Sequence, residues 1–252
     1  MTGRVLIAAA VFAGMGTAAD DVVLKTATGH TMKYYLSLPS GWTAQKKWPV
    51  VMVIESADRQ FENAARVFAK ARGGMPFVLL TPMVTTNGGP SYRQAPGYRY
   101  EEREWNEIER IGRCQFDLDG IAAVAADAQK QYSAESKYFI TGFEAAGHTL
   151  WTVLFRQPAA LRAVAPVVTN YAARCMEDGR FADPVPDLPV RLFAGGGESG
   201  GRAGSLSAQT QRARETAEQH GFRNFSEQTV PGKGHEPLAD EVLAWFYSLW
   251  RQ

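Results

Sequence analysis

The run from Lys137 to Trp151, K-Y-F-I-T-G-F-E-A-A-G-H-T-L-W, constrains the fold more than any other stretch of the chain. Lys137 to Thr141 is short, apolar and partly β-branched, the pattern of a strand buried on both faces. His148 to Phe155 reads as a helix that begins where the strand stops. Between them Gly142, Ala145, Ala146 and Gly147 surround Phe143 and Glu144 with small residues. A strand that turns at once into a helix brings two backbones very close, and only small side chains tolerate that approach. One central side chain, Glu144, is held out at the turn.

At 252 residues the chain can bury one sizeable α/β core, and no Pro/Ser-rich linker divides it into two. A formal charge of +1 offers no footprint for nucleic acid and no polybasic membrane anchor. Met1 to Arg4 is a short positive start, Val5 to Met15 an apolar run, and Gly16 to Ala19 is small. This predicts a signal peptide over residues 1–19, cleaved near Ala18 or Ala19, and a secreted or periplasmic protein spanning 20–252. The apolar run is too short and too rich in Ala and Gly to make a stable span. Export permits a disulfide, and Cys114 and Cys175 are the only two cysteines. Sequence leaves open whether they are bonded or are two buried thiols.

A tight strand–turn–helix with small residues two before and two after its central side chain is the layout of a nucleophile elbow. On these residues the chain resembles α/β-hydrolases, most of all secreted esterases and polyhydroxybutyrate-depolymerase-like proteins, whose elbow often reads Gly-Phe-Ser-x-Gly-Gly. The resemblance extends over most of the chain after the first twenty residues. It implies an α/β-hydrolase fold, with a mostly parallel central sheet flanked by helices on both faces. Where the family carries serine, this chain carries Glu144.

The remaining segments follow that plan. Val22 to Pro39 suggests two antiparallel edge strands, and Val50 to Ile54 a central parallel strand. After that strand the family often places His-Gly, whose neighbouring N–H groups help to form an oxyanion hole. Here Glu55, Ser56, Ala57 and Asp58 stand instead, so glycines are missing and acids are present. Asn63 to Arg72 and Asp117 to Tyr132 are expected helices, the second with an acidic start that suits its exposed N–H groups. Phe77 to Thr81, Arg162 to Val168, Pro189 to Ala194 and Phe225 to Val230 are expected strands, and Ser207 to His220 and Ala239 to Trp250 helices. The roughly twenty residues before Pro189 are too few for a large cap domain. Residues 82–112 read as a long aromatic loop, either lying over the pocket or forming a surface excursion with its own aromatic cluster.

The resemblance assigns a triad order of Glu144, Glu198 and His235. Glu198 follows the seventh strand in Gly195–Gly201, and His235 lies in the Gly-rich loop before the last helix. Substrate contacts are expected from Glu55, Ser56, Phe143 and Ala145, and from Tyr92 and Tyr98 of the long loop. A carboxylate at the elbow is a poor acyl nucleophile, since it would form an anhydride while expelling an alkoxide. It also places negative charge where an oxyanion must form. Three readings follow: an alkyl-transfer nucleophile, a general base, or a ligand-binding pseudo-hydrolase in which two carboxylates hold His235 as imidazolium. The third is preferred, with an active non-serine hydrolase as the alternative. The ligand is then a small or polymer-derived molecule, with no cofactor. Glu144, His148 and His235 could be drawn as a metal trio, but the E-x-x-x-H spacing is too weakly specific, and no metal is assigned. Ser56 and Ser199 are poor replacement nucleophiles because neither sits on an elbow.

Overall fold

The computed structural model describes residues 21–88, 92–197 and 201–252, so the expected signal peptide lies outside the described residues. Eight strands form one sheet in the order β1-β2-β4-β3-β5-β6-β7-β8. They are β1 (Val23–Thr26), β2 (Lys33–Ser37), β3 (Trp48–Ile54), β4 (Val78–Pro82), β5 (Ala134–Phe143), β6 (Leu161–Val167), β7 (Val190–Gly195) and β8 (Phe225–Val230). From β4 to β8 every neighbouring pair is parallel, and β1 and β2 run antiparallel at the β4 edge. This is the α/β-hydrolase fold.

Among the described residues six α-helices cover the sheet: α1 (Phe61–Arg72), α2 (Glu102–Ile111), α3 (Arg113–Gln131), α4 (Gly147–Arg156), α5 (Gly201–Gln219) and α6 (Ala239–Trp250). Among the described residues no helix is long and apolar enough to cross a membrane. Strand β3 shows why its sequence is apolar throughout. Val50, Met52 and Ile54 share a core with Phe116 and Val124 of α3 and Leu150 and Trp151 of α4. The alternate residues Val51 and Val53 pack with Phe68 of α1 and Leu243 and Phe246 of α6. A strand with both faces covered has no polar phase.

The expected strands and helices are present, with end shifts of a few residues. The difference lies in 82–112. Glu102–Ile111 is a helix with a capping box, in which the Glu101 N–H donates to Glu104 Oε2 at 2.6 Å. Ahead of it the aromatic residues fold inward. Tyr98 packs against Phe61, Tyr100 and Trp105, and its hydroxyl donates to the Val84 carbonyl at 2.9 Å. Tyr100 donates to the Met83 carbonyl at 2.9 Å. These rings are core, each with a polar end satisfied by a backbone acceptor.

A buried polar relay fixes the loops above the sheet. Asp117 of α3, fully buried, accepts the N–H groups of Thr85 and Thr86 and both of their hydroxyls. Burial outweighs these hydrogen bonds and pushes its carboxyl up to about 6. Thr86 then meets Thr149 of α4 at 2.9 Å, Thr149 donates to Asn87 Oδ1 at 2.7 Å, and Asn87 Nδ2 donates to the Glu55 carbonyl at 2.5 Å. The relay thus joins α3, α4 and the end of β3.

Cys114 and Cys175 are disulfide-bonded, with Cα atoms 5.4 Å apart. The bond ties the start of α3 to the segment between β6 and β7, from which Arg174 donates to the Thr86 carbonyl. Closing a loop with a sequence separation of 61 stabilises by about 4 kcal/mol in the chain-entropy treatment. The double variant Cys114→Ser/Cys175→Ser is therefore expected to lower Tm by on the order of 10 °C, read by thermal denaturation beside the oxidised wild type.

Candidate functional site

Glu144 sits at the turn between β5 and α4 with φ +49°, in the left-handed region that L-residues other than Asn and Asp rarely adopt. Holding a glutamate there costs on the order of 1 kcal/mol, and the surrounding contacts enforce it. A Cβ at Gly142 would come within 2.6 Å of the Ala146 Cβ. One at Gly147 would stand 2.2 Å from the Asn170 carbonyl oxygen. The Glu144 carbonyl accepts the Asn170 N–H at 2.8 Å, which fastens the turn to the end of β6.

The Glu144 side chain is 10 % exposed and both of its oxygens are engaged. Oε1 lies 2.7 Å from His235 Nε2, and Oε2 accepts the Ser56 hydroxyl at 3.2 Å. His235 arrives from the loop after β8, and its ring packs on Phe143 with centroids 4.7 Å apart. About a third of its side chain, 36 %, is exposed. The carboxylate therefore spans from the histidine to the loop after β3. Ala145 follows in the first turn, whose N–H groups have no carbonyl one turn back within the helix.

Behind the loop after β3 lies a cavity of about 240 Å³. Val53, Ile54, Phe68, Phe143 and Pro237 form its apolar wall, and Glu55, Ser56, Asp58, Gln60 and Asn63 its polar one. Glu55 Oε1 accepts the Gln60 N–H at 3.2 Å. Burial pushes the Glu55 carboxyl up to about 7; backbone hydrogen bonds from Gln60 and Ser56 oppose the rise, and Asp58 adds to it.

Among the residues expected from sequence, Glu144, His235, Ser56 and Phe143 converge, and Glu55 lies beside them on the cavity wall. Tyr98 does not reach this group and belongs to the core. Tyr92 falls in a short 3-10 turn, and its side chain, like Glu198 and Ser199, lies outside the described residues. The wall residues Phe68 and Pro237 had no motif to mark them; the one signal for Pro237 is its place two residues after His235. His148 is half-buried, and among the described residues its Nδ1 has no hydrogen-bond partner. Burial, with Arg174 nearby, pushes its pKa down to about 4. No group of three His, Cys, Asp or Glu side chains among the described residues is arranged to hold a metal.

Comparison with known proteins adds the fold's context. No protein-family model and no curated protein matches the sequence. Solved structures do match. A poly(3-hydroxybutyrate) depolymerase from Bordetella parapertussis is 18 % identical with a TM-score of 0.61, covering 94 % of this chain and 91 % of its own. Poly(aspartic acid) hydrolase-1 from Sphingomonas sp. KT-1 is 12 % identical with a TM-score of 0.61, covering 92 % and 98 %. A putative dienelactone hydrolase from Klebsiella pneumoniae is 16 % identical with a TM-score of 0.55, covering 92 % and 96 %. At these identities the likeness establishes the fold.

Two measurements test the site's construction. Gly147 has an ordinary helical φ of −55°, so lack of space and not conformation excludes a side chain. Gly→Ala normally favours a helix by about 1 kcal/mol. Here the sign inverts, and Gly147→Ala is expected to destabilise by about 3 kcal/mol in urea unfolding. Glu55 keeps its proton in the native state over a range, roughly pH 4.5 to 7, where the unfolded chain has released it. The stability due to that proton is complete below the window and lost as pH rises through it. Glu55→Gln should therefore gain on wild type between pH 5 and pH 8 by on the order of 2 kcal/mol, measured as the difference of urea midpoints at the two pH values.

Proposed function

We propose that the protein is a ligand-binding member of the esterase-like branch of this fold that does not act as an ordinary serine esterase. The observation that carries the reading is the double engagement of Glu144, with one oxygen on His235 and the other on Ser56. In ester hydrolysis the first position belongs to a nucleophile that yields its proton to histidine, and the second neighbourhood to an oxyanion. A single carboxylate spans both. It has no proton to give, and its charge opposes the oxyanion. In this reading the triad order assigns Glu198, which lies outside the described residues, as the second acid partner of His235, and the histidine is a latch rather than a base. The ligand is a small or polymer-derived molecule. Secretion or residence in the periplasm agrees with the disulfide, which persists in oxidising compartments.

The alternative is an active non-serine hydrolase. It is favoured by the retained strain at Glu144 and by the partial exposure of His235. In that reading a Glu144 oxygen attacks an sp³ carbon and displaces its leaving group. Water activated by His235 then hydrolyses the resulting ester, and Glu144 is regained.

Hydrolysis of p-nitrophenyl butyrate by the mature wild type, Glu144→Ser and His235→Ala separates the two. Wild-type rates at the His235→Ala background, with Glu144→Ser gaining at least ~100-fold His235-dependent turnover, are expected. Wild-type turnover above that background would overturn the silent-site reading.

A further inference from the structure

The cavity behind the loop after β3 is more specific in its chemistry than the reading above requires. Its volume of about 240 Å³ suits a ligand of a few carbon atoms. The floor is aliphatic and aromatic, from Val53, Ile54, Phe68, Phe143 and Pro237. At one side Glu55 and Asp58 both line the cavity, and the Asp58 charge adds to the upward push on the Glu55 carboxyl. Glu55 is half-buried against the apolar wall, with the Gln60 N–H donating to its Oε1 at 3.2 Å and a second backbone hydrogen bond from Ser56. Asp58 is exposed at the rim. The Val67 side chain, 42 % exposed and also lining the cavity, marks an apolar edge open to solvent.

Two carboxylates beside an apolar floor repel an anionic ligand, and the neutral Gln60 and Asn63 that share the wall carry no charge to offset them. A cation relieves their mutual repulsion and replaces the water that Glu55 has lost. Its alkyl chain meanwhile covers wall that is otherwise in contact with solvent. We propose that this cavity binds a small alkylammonium ligand, with its charged end between Glu55 and Asp58 and its alkyl end against Val53, Phe68 and Phe143.

The position links the cavity to the elbow. Phe143 is both a cavity wall and the ring packed on His235, and Ser56 both lines the cavity and donates to Glu144. The bound ligand would therefore press on the two groups that hold the Glu144 carboxylate. This inference takes its meaning from the ligand-binding reading, but its test does not depend on that reading.

The mature protein is titrated at pH 8 with n-butylammonium, n-butanol and n-butyrate. Calorimetry gives the affinity, and methyl resonances of Val53 and Val67 report the location. Butylammonium is expected to bind at least tenfold more tightly than either analogue and to shift both valines. Glu55→Gln and the rim variant Asp58→Asn should each weaken it threefold or more, and Asp58→Asn alters only an exposed side chain, so its fold is not at issue. Equal binding of butanol, tighter binding of butyrate, shifts confined to other methyls, or indifference to both variants would each overturn the proposal. Nitrophenyl ester turnover is followed in the same samples. Turnover by wild type removes the silent-site reading and leaves ammonium binding standing, whereas a silent enzyme that ignores butylammonium does the reverse.

Discussion

The close packing of α4 against the ends of β5 and β6 governs everything above the sheet. It forces glycine at 142 and 147, drives Glu144 into the left-handed region, and aims one side chain at the loops after β3 and β8. The contact is made by backbone atoms and a methyl group, so it cannot relax by moving a flexible side chain. The parallel sheet makes this possible by presenting the carboxyl ends of β3, β5, β7 and β8 at one edge, where α/β proteins assemble their sites.

What the site can do is decided by length and charge. Glutamate reaches farther than serine, and the extra reach takes its second oxygen to Ser56. A carboxylate held between two partners in an 8 % exposed setting has its hydrogen-bonding needs met. The relay from Asp117 through Thr86, Thr149 and Asn87 holds the Glu55 carbonyl, so the loop that meets Glu144 is itself anchored to two helices. The disulfide and Arg174 support the same relay from the other side.

The fold was legible in the sequence because its central strands are buried on both faces, which leaves apolar runs such as Val50 to Ile54 with no polar phase. The elbow was legible because close approach writes itself as small residues at fixed offsets. Helix α2 was not: only Trp105 and Ile108 of its residues are buried, a stripe too narrow to stand out among turn residues, although Glu101 and Glu104 form its capping box. The sequence places Tyr98 at the pocket because aromatic residues in a loop look available. Its ring instead completes a cluster with Phe61 and Trp105, and its hydroxyl finds a carbonyl. The cavity was invisible because its walls come from β3, α1, β5 and the loop after His235, and no local pattern records that meeting.

The elbow has one more consequence, for what substitution can do to this chain. The demands on 142 and 147 are steric and absolute in kind, whereas the demand on 144 is only that some residue accept φ +49°. Unbranched L-side chains bear a comparable strain there, so the backbone scarcely distinguishes among them, although it disfavours β-branched ones. The mount is therefore indifferent to what is mounted. Chemistry at the tip can be exchanged through one position while its frame stays fixed.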